Sequence, residues 1–179
     1  VKCLAARLTG GAGPGSVVDI NPHLTYTSST TSVVNRLQSI GDPRGVAFST
    51  DGTTAWTCGL GSNNVVAFSA SGARVATVNV GEGPTGLVMA ADGSRLYVLN
   101  RFESSVSTIS TGTNSEIARI TLHDSTPTAV KDGRKFIFDT HLTSGLGQAS
   151  CASCHIDGRS DRLSWDLGNP QGTVQLFDE

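Results

Sequence analysis

The sequence predicts a mainly β fold with a small α region: a partial β-propeller of about two to three four-stranded blades, then an incomplete helical segment. Three observations carry this. Hydrophobic residues make up 37% of the 179-residue chain and charged residues 16%, with 21 glycines, so apolar side chains fall into short runs between turns. A shift of 41 residues lays one stretch on another without a gap. After Leu122 the strand-like pattern gives way to residues that start helices. The formal net charge of -2 excludes a basic nucleic-acid binder by composition. No run approaches the roughly 18 apolar residues that span a bilayer, and Val1 to Arg7 lack the apolar core of a signal peptide. The expectation is a soluble chain with no membrane span. Its start at Val1 suggests a removed targeting segment or a piece of a longer chain.

In the repeat, Asp42-Pro43-Arg44-Gly45-Val46-Ala47-Phe48-Ser49-Thr50-Asp51-Gly52 falls on Gly83-Pro84-Thr85-Gly86-Leu87-Val88-Met89-Ala90-Ala91-Asp92-Gly93. Further on, Ala55-Trp56-Thr57-Cys58 falls on Leu96-Tyr97-Val98-Leu99, and Asn64 to Phe68 on Ser105 to Ile109. Each unit reads as four short strands. In the first they run to Ser49, through Cys58, to Phe68 and from Val75 to Val80, parted by turns at Asp51-Gly52, Asn63-Asn64 and Ser71-Gly72. The second unit ends in Glu116 to Leu122, one residue longer in its last turn. Four strands in about 41 residues is the size of one propeller blade. Upstream, Val33-Val34-Asn35-Arg36-Leu37 matches Arg74-Val75-Ala76-Thr77-Val78 and is predicted to end a preceding, partial blade. A β-sandwich with coincidental repetition is the competing fold.

Closing a propeller takes at least about four blades, so the missing blades are expected from the rest of a longer chain or from another chain. Tyr97-Val98-Leu99-Asn100 resembles the repeat tetrapeptide of bacterial YVTN-type propellers, with Leu where Thr is usual. That resemblance covers residues 30 to 122.

The division expected is residues 1–124 for the propeller repeats and 125–179 for a second unit. Ser125-Thr126-Pro127 offers a hydroxyl cap and a proline that the first helical turn tolerates. A helix should follow, with Val130, Gly133 and Ile137 on one face, Phe136 beside them, and Lys131, Arg134 and Lys135 elsewhere. The rival is another blade hairpin, since Asp132-Gly133 lies 40 residues after Asp92-Gly93.

Cys151-Ala152-Ser153-Cys154-His155 is the sharpest signal, the attachment pattern of c-type haem. Two thiols add to the two vinyl groups of a porphyrin, and the next residue brings its imidazole to the iron. A zinc site would need further ligands, and no second Cys pair or His pair with finger spacing exists. A thioredoxin-like dithiol would want a βαβ context that is not seen.

The flanks add a resemblance. Gly133-Arg134-Lys135-Phe136-Ile137-Phe138-Asp139, Leu142-Thr143-Ser144, the haem motif and Asp157 to Gly168 resemble bacterial di-haem cytochrome c peroxidases and their propeller-linked relatives over residues 126 to 170. Phe136 and Ile137 depart from the family's Leu and Phe. The resemblance implies a cytochrome c-like domain, one covalent haem c held by Cys151 and Cys154 with His155 as proximal iron ligand, and a periplasmic or extracellular bacterial setting. It also implies that the Val130/Gly133/Ile137 face crosses a C-terminal helix.

A haem domain needs roughly 80 to 100 residues, and 24 follow His155, so that domain is expected to be incomplete. The single Met, Met89, reads as blade core rather than sixth ligand. His141 is a minor candidate for the distal side. His123 and His23 read as surface or hinge residues, and Cys58 as a small buried hydrophobe. Cys3 has no evident mate. Arg159 and Arg162 are candidates for haem propionates, and Trp165 for the porphyrin edge.

The leading expectation is electron transfer through this haem to an unknown redox partner protein, with the propeller as scaffold or docking module. A di-haem peroxidase-type enzyme, which needs a second Cys-x-x-Cys-His absent here, and a haem-free propeller binding module are the alternatives. No catalytic residue is assigned.

Overall fold

The computed structural model describes residues 2–7, 16–155 and 159. Its centre is two antiparallel meanders. Strands β3 (Pro43–Phe48), β4 (Thr54–Gly59), β5 (Asn64–Ser69) and β6 (Arg74–Asn79) lie side by side in chain order. Strands β7 (Pro84–Met89), β8 (Arg95–Asn100), β9 (Ser105–Ser110) and β10 (Ser115–Thr121) repeat the arrangement. The turns explain why. Non-helical, left-handed backbone recurs at the repeat interval: Asp42 (φ 49°) and Gly83 (62°), Gly52 (70°) and Gly93 (72°), Asn63 (54°) and Ser104 (56°). Glycine, Asn and Asp tolerate that region best, and tight turns between antiparallel strands need it.

Alternation along the strands builds the stack. In β5, Val65 and Ala67 join one core, while Val66 and Phe68 join another on the opposite face. The first core, with Ala47, Trp56 and Cys58, meets Leu96, Val98 and Ile109 of the second sheet, and Leu87 and Met89 pack against it. Strand β3 lies over β7. Two four-stranded sheets packed this way are consecutive propeller-like blades, as the repeat predicts. Met89 is core, as expected.

The longer last turn of the second unit is as the sequence reading has it: Phe68 pairs with Arg74 across 69–73 and Ile109 with Glu116 across 110–115, and β6 and β10 each break register at the next residue. One element differs. Val33 to Leu37 is not a blade strand: Val33–Gln38 forms helix α1, whose N-cap Ser32 accepts a hydrogen bond from the Asn35 amide at 3.2 Å. His23 Nε2 meets the Asn35 carbonyl at 3.0 Å, and Arg74 bonds the Gln38 carbonyl, so the segment is tied down as a helix. The partial blade is instead a hairpin of β1 (Leu4–Arg7) and β2 (Ser16–Asp19). Its end packs Cys3 and Ile20 against Ile40, Val66 and Phe68.

After β10, helix α2 (Thr128–Phe138) forms where a helix was expected, which displaces the rival hairpin. Pro127 itself occupies the N-cap position and no side chain caps the helix, so the expected hydroxyl cap is not used. A short helix α3 (Thr140–Thr143) follows, then a 3₁₀ turn at Cys151–Ser153. Among the described residues, no helix is long and apolar enough to cross a membrane.

Candidate functional site

The connections 39–42, 60–63, 80–83 and 101–104 all lie at one end of the two sheets, and the helical segment sits on that end. Phe102 is the first anchor: its ring lies 4.8 Å from that of Phe138, and the Arg134 guanidinium stands 5.3 Å above it. Arg134 also donates to the Phe102 carbonyl at 2.8 Å. From within α2, Lys131 reaches back to pair with Asp124 at 2.8 Å and holds that carboxyl well below the usual carboxylate range, with help from the Thr126 amide.

Thr140 is the second anchor. It is fully buried, and its amide donates to the Gly61 carbonyl at 2.7 Å. A Cβ at Gly61 would lie 2.6 Å from both the Phe138 carbonyl oxygen and Thr140 Cγ2, and one at Gly41 would run into Thr140 as well. The two glycines therefore form a slot for this side chain. Beyond it, His141 Nε2 donates to the Ser39 carbonyl at 2.9 Å, which ties the ring to the first blade. The Ser39 hydroxyl donates to the Leu146 carbonyl at 2.8 Å, and the Cys3 thiol reaches the Gln148 carbonyl at 3.6 Å. Residues 139–148 are thus a clasp, stitched to blade and hairpin over their whole length.

The clasp delivers the chain to the Cys-x-x-Cys-His turn. Ser150 and Ser153 cap each other reciprocally around it, and the Cys154 and His155 amides both donate to the Cys151 carbonyl, at 3.2 and 2.9 Å. Cys151 and His155 are exposed and Cys154 is half-buried; neither cysteine is in a disulfide. The turn packs beside α2. The face of α2 turned from the blades is open: Val130, Phe136 and Ile137 are 52%, 62% and 48% exposed, and a Cβ at Gly133 would meet nothing within 4 Å. One exposed thiol, one half-buried thiol and an exposed imidazole on a single turn beside α2 make up the donor set that a covalently held porphyrin takes. Among the described residues, no group of three His, Cys, Asp or Glu side chains is gathered as a metal cluster. Thioether attachment asks for none.

The other sequence candidates are placed as follows. Cys58 is fully buried, donates to the Arg44 carbonyl at 2.9 Å, and burial pushes its thiol up to about 12. Cys3 is buried too, its thiol pushed up to about 11. His23 is hydrogen-bonded between Asn35 and Ser39, and burial, then the Arg74 charge, lowers its pKa. His123 and Arg159 are exposed. Arg162, Trp165 and the Asp157 to Gly168 resemblance, apart from Arg159, lie outside the described residues. Sequence reading missed the anchors Phe102, Arg134 and Thr140. One signal was present: Phe102 stands where the first repeat has Gly61, a position at which the repeats differ and at which both touch the helical segment.

No family model matches the chain, and no curated protein does. Among solved structures it is similar to hydrazine synthase of Kuenenia stuttgartiensis, at 26% identity and a TM-score of 0.46, over 48% of this chain and 25% of that one. It is similar to the periplasmic gluconolactonase PpgL of Pseudomonas aeruginosa, at 25% identity and a TM-score of 0.42, over 48% of this chain and 28% of that one. The dihydro-heme d1 dehydrogenase NirN aligns at 22% identity and a TM-score of 0.40, over 48% of this chain and 18% of that one. The chain spans between 18% and 28% of the length of these proteins. By its own sheets and turns it is a propeller-like fragment, with two complete blades, one hairpin and a helical segment clasped to one end among the described residues.

Proposed function

We propose that this chain carries one covalently attached c-type haem and passes electrons through it to a redox partner protein, with the blades as scaffold or docking module. The observation that carries the reading is the Cys151-to-His155 turn, exposed at Cys151 and His155 and packed beside α2, whose Val130, Phe136 and Ile137 are exposed. Cys151 and Cys154 would form the two thioethers, and His155 would supply the proximal nitrogen to the iron. The bound group supplies one-electron redox chemistry at a potential set by its ligands and burial. The chain's own part is positional. The reciprocal Ser150–Ser153 cap holds the turn, and Val130, Phe136 and Ile137 offer apolar surface that excludes water from one side of the ring. The helices needed to enclose the ring, the remaining blades and any second haem would belong to a longer protein. Thioether formation places such a protein in the periplasm or outside the cell.

The test is expression of the full chain with a cytochrome c maturation system, followed by an intact mass and a reduced absorption spectrum. A sharp α-band, and a mass increase of one haem that survives denaturation, are expected. The double variant C151S/C154S should lose both while keeping its far-UV circular dichroism. An unmodified mass with no band would overturn the reading and leave a haem-free propeller module.

A further inference from the structure

An apolar groove of about 820 Å³ opens between the β1–β2 hairpin and the first blade, lined by Leu4, Val18, Val46, Phe48, Trp56 and Phe68 among others. Val46 and Phe48 are 60% and 61% exposed there. The repeat identifies what the groove lacks. One repeat later, Leu87 and Met89 occupy the equivalent positions on β7, and they pack into the core because β3 lies over them. Gly45 is close enough that a Cβ on it would approach Leu87 Cδ1 at 3.2 Å. Within the chain, then, a blade's first strand is covered by the first strand of the blade before it. Stepped back one repeat, that interface continues onto Val46 and Phe48, where among the described residues no strand lies.

The hairpin supplies the second half of the site. Among the described residues β1 pairs with β2 alone, so its other edge carries unpaired backbone donors and acceptors, and Leu4 and Ala5 of β1 line the groove. Inside the first blade, β3 pairs antiparallel with its neighbour β4. We infer that the groove binds an extended polypeptide segment with the first-strand pattern of this repeat. That pattern is Pro-x-Gly-apolar-aliphatic-apolar, as in Pro43 to Phe48 and Pro84 to Met89. The segment pairs antiparallel to the free edge of β1 and turns its small aliphatic residue onto Val46 and Phe48, as Ala47 turns onto the core in front of β7. Main-chain pairing supplies the attachment and the alternating side chains the register. The inference uses none of the haem-turn residues and stands apart from the haem reading.

The probe is a dye-labelled synthetic peptide with the sequence of residues 41–51, titrated with the full chain and read by fluorescence anisotropy. Saturable binding is expected, weakened at least tenfold by Phe48→Asp on the chain and by scrambling the peptide. Phe48 is exposed, so that variant should keep its circular dichroism; Val46→Asp, read the same way, serves if it does not. Absence of saturable binding, or equal binding of the scrambled peptide, overturns the inference. Sedimentation of the chain alone supplies the remaining outcome: a dimer that Phe48→Asp dissolves would give the groove to a second copy, and the inference falls.

Discussion

At the scale of single residues, the four cysteines divide by environment. Cys3 and Cys58 are buried and held as neutral thiols, their pKa values raised to about 11 and about 12, whereas Cys151 is exposed. In chain made without haem ligation, brief iodoacetamide treatment at pH 8 should modify Cys151 first and leave Cys3 and Cys58 intact, as read by peptide mass mapping. Early labelling of Cys58 would mean that the first blade opens easily. The sign of the pH dependence follows from the same burial. Unfolded thiols ionise from about pH 8.5 and folded ones resist, so this contribution is complete below that pH and is lost as pH rises toward 11 or 12. The melting temperature should fall between pH 9 and pH 11, and less steeply in Cys58→Val; parallel curves would contradict the assignment. The role of Cys58 was legible because it sits in register with Leu99 in the repeat. That of Cys3 was not, since its neighbours Ile20, Ile40, Val66 and Phe68 come from three distant places in the chain.

At the scale of elements, local signals decided what the sequence could reveal. Strands β3 to β10 follow from Gly, Asn and Asp at turn positions and from apolar alternation. Helix α2 was legible from Pro127 and the spacing of its apolar face, while the hydroxyls of Ser125 and Thr126 do not cap it. Helix α1 was read as a strand because five residues resemble β6 in chemistry; the Ser32 cap and the bonds from His23 and Arg74 outweigh that likeness, and two of these three come from outside the segment. The clasp was invisible for the same reason: Thr140 is an ordinary threonine until Gly41 and Gly61 are folded around it. Its importance is testable. Gly61→Ala puts a methyl group 2.6 Å from the Phe138 carbonyl oxygen, and overpacking of this kind costs about 1–3 kcal/mol. Hydrogen exchange over residues 139–148 should speed up while the second sheet stays protected. Unchanged exchange there would show that the clasp does not depend on the slot.

At the scale of the whole molecule, the two sheets share one core, so they should unfold together. Leu96 is fully buried between them, and Leu96→Ala should cost about 2–5 kcal/mol in a single denaturant transition that keeps its slope. Two separated transitions would mean that the blades are independent units. The 41-residue period made this stack readable, since it specifies which faces are equivalent. The sequence was silent on the hairpin, whose seat on the first blade is long-range packing, and on the seating of the helices, which uses a position where the repeats differ. The slot for Thr140 also imposes an order of events. Gly41 and Gly61 precede Thr140 in the chain, so on whichever side of a membrane the chain folds from its N-terminal end, the receiving loops can be complete when the threonine arrives. Cys151 to His155 then follow a segment whose seat is already built.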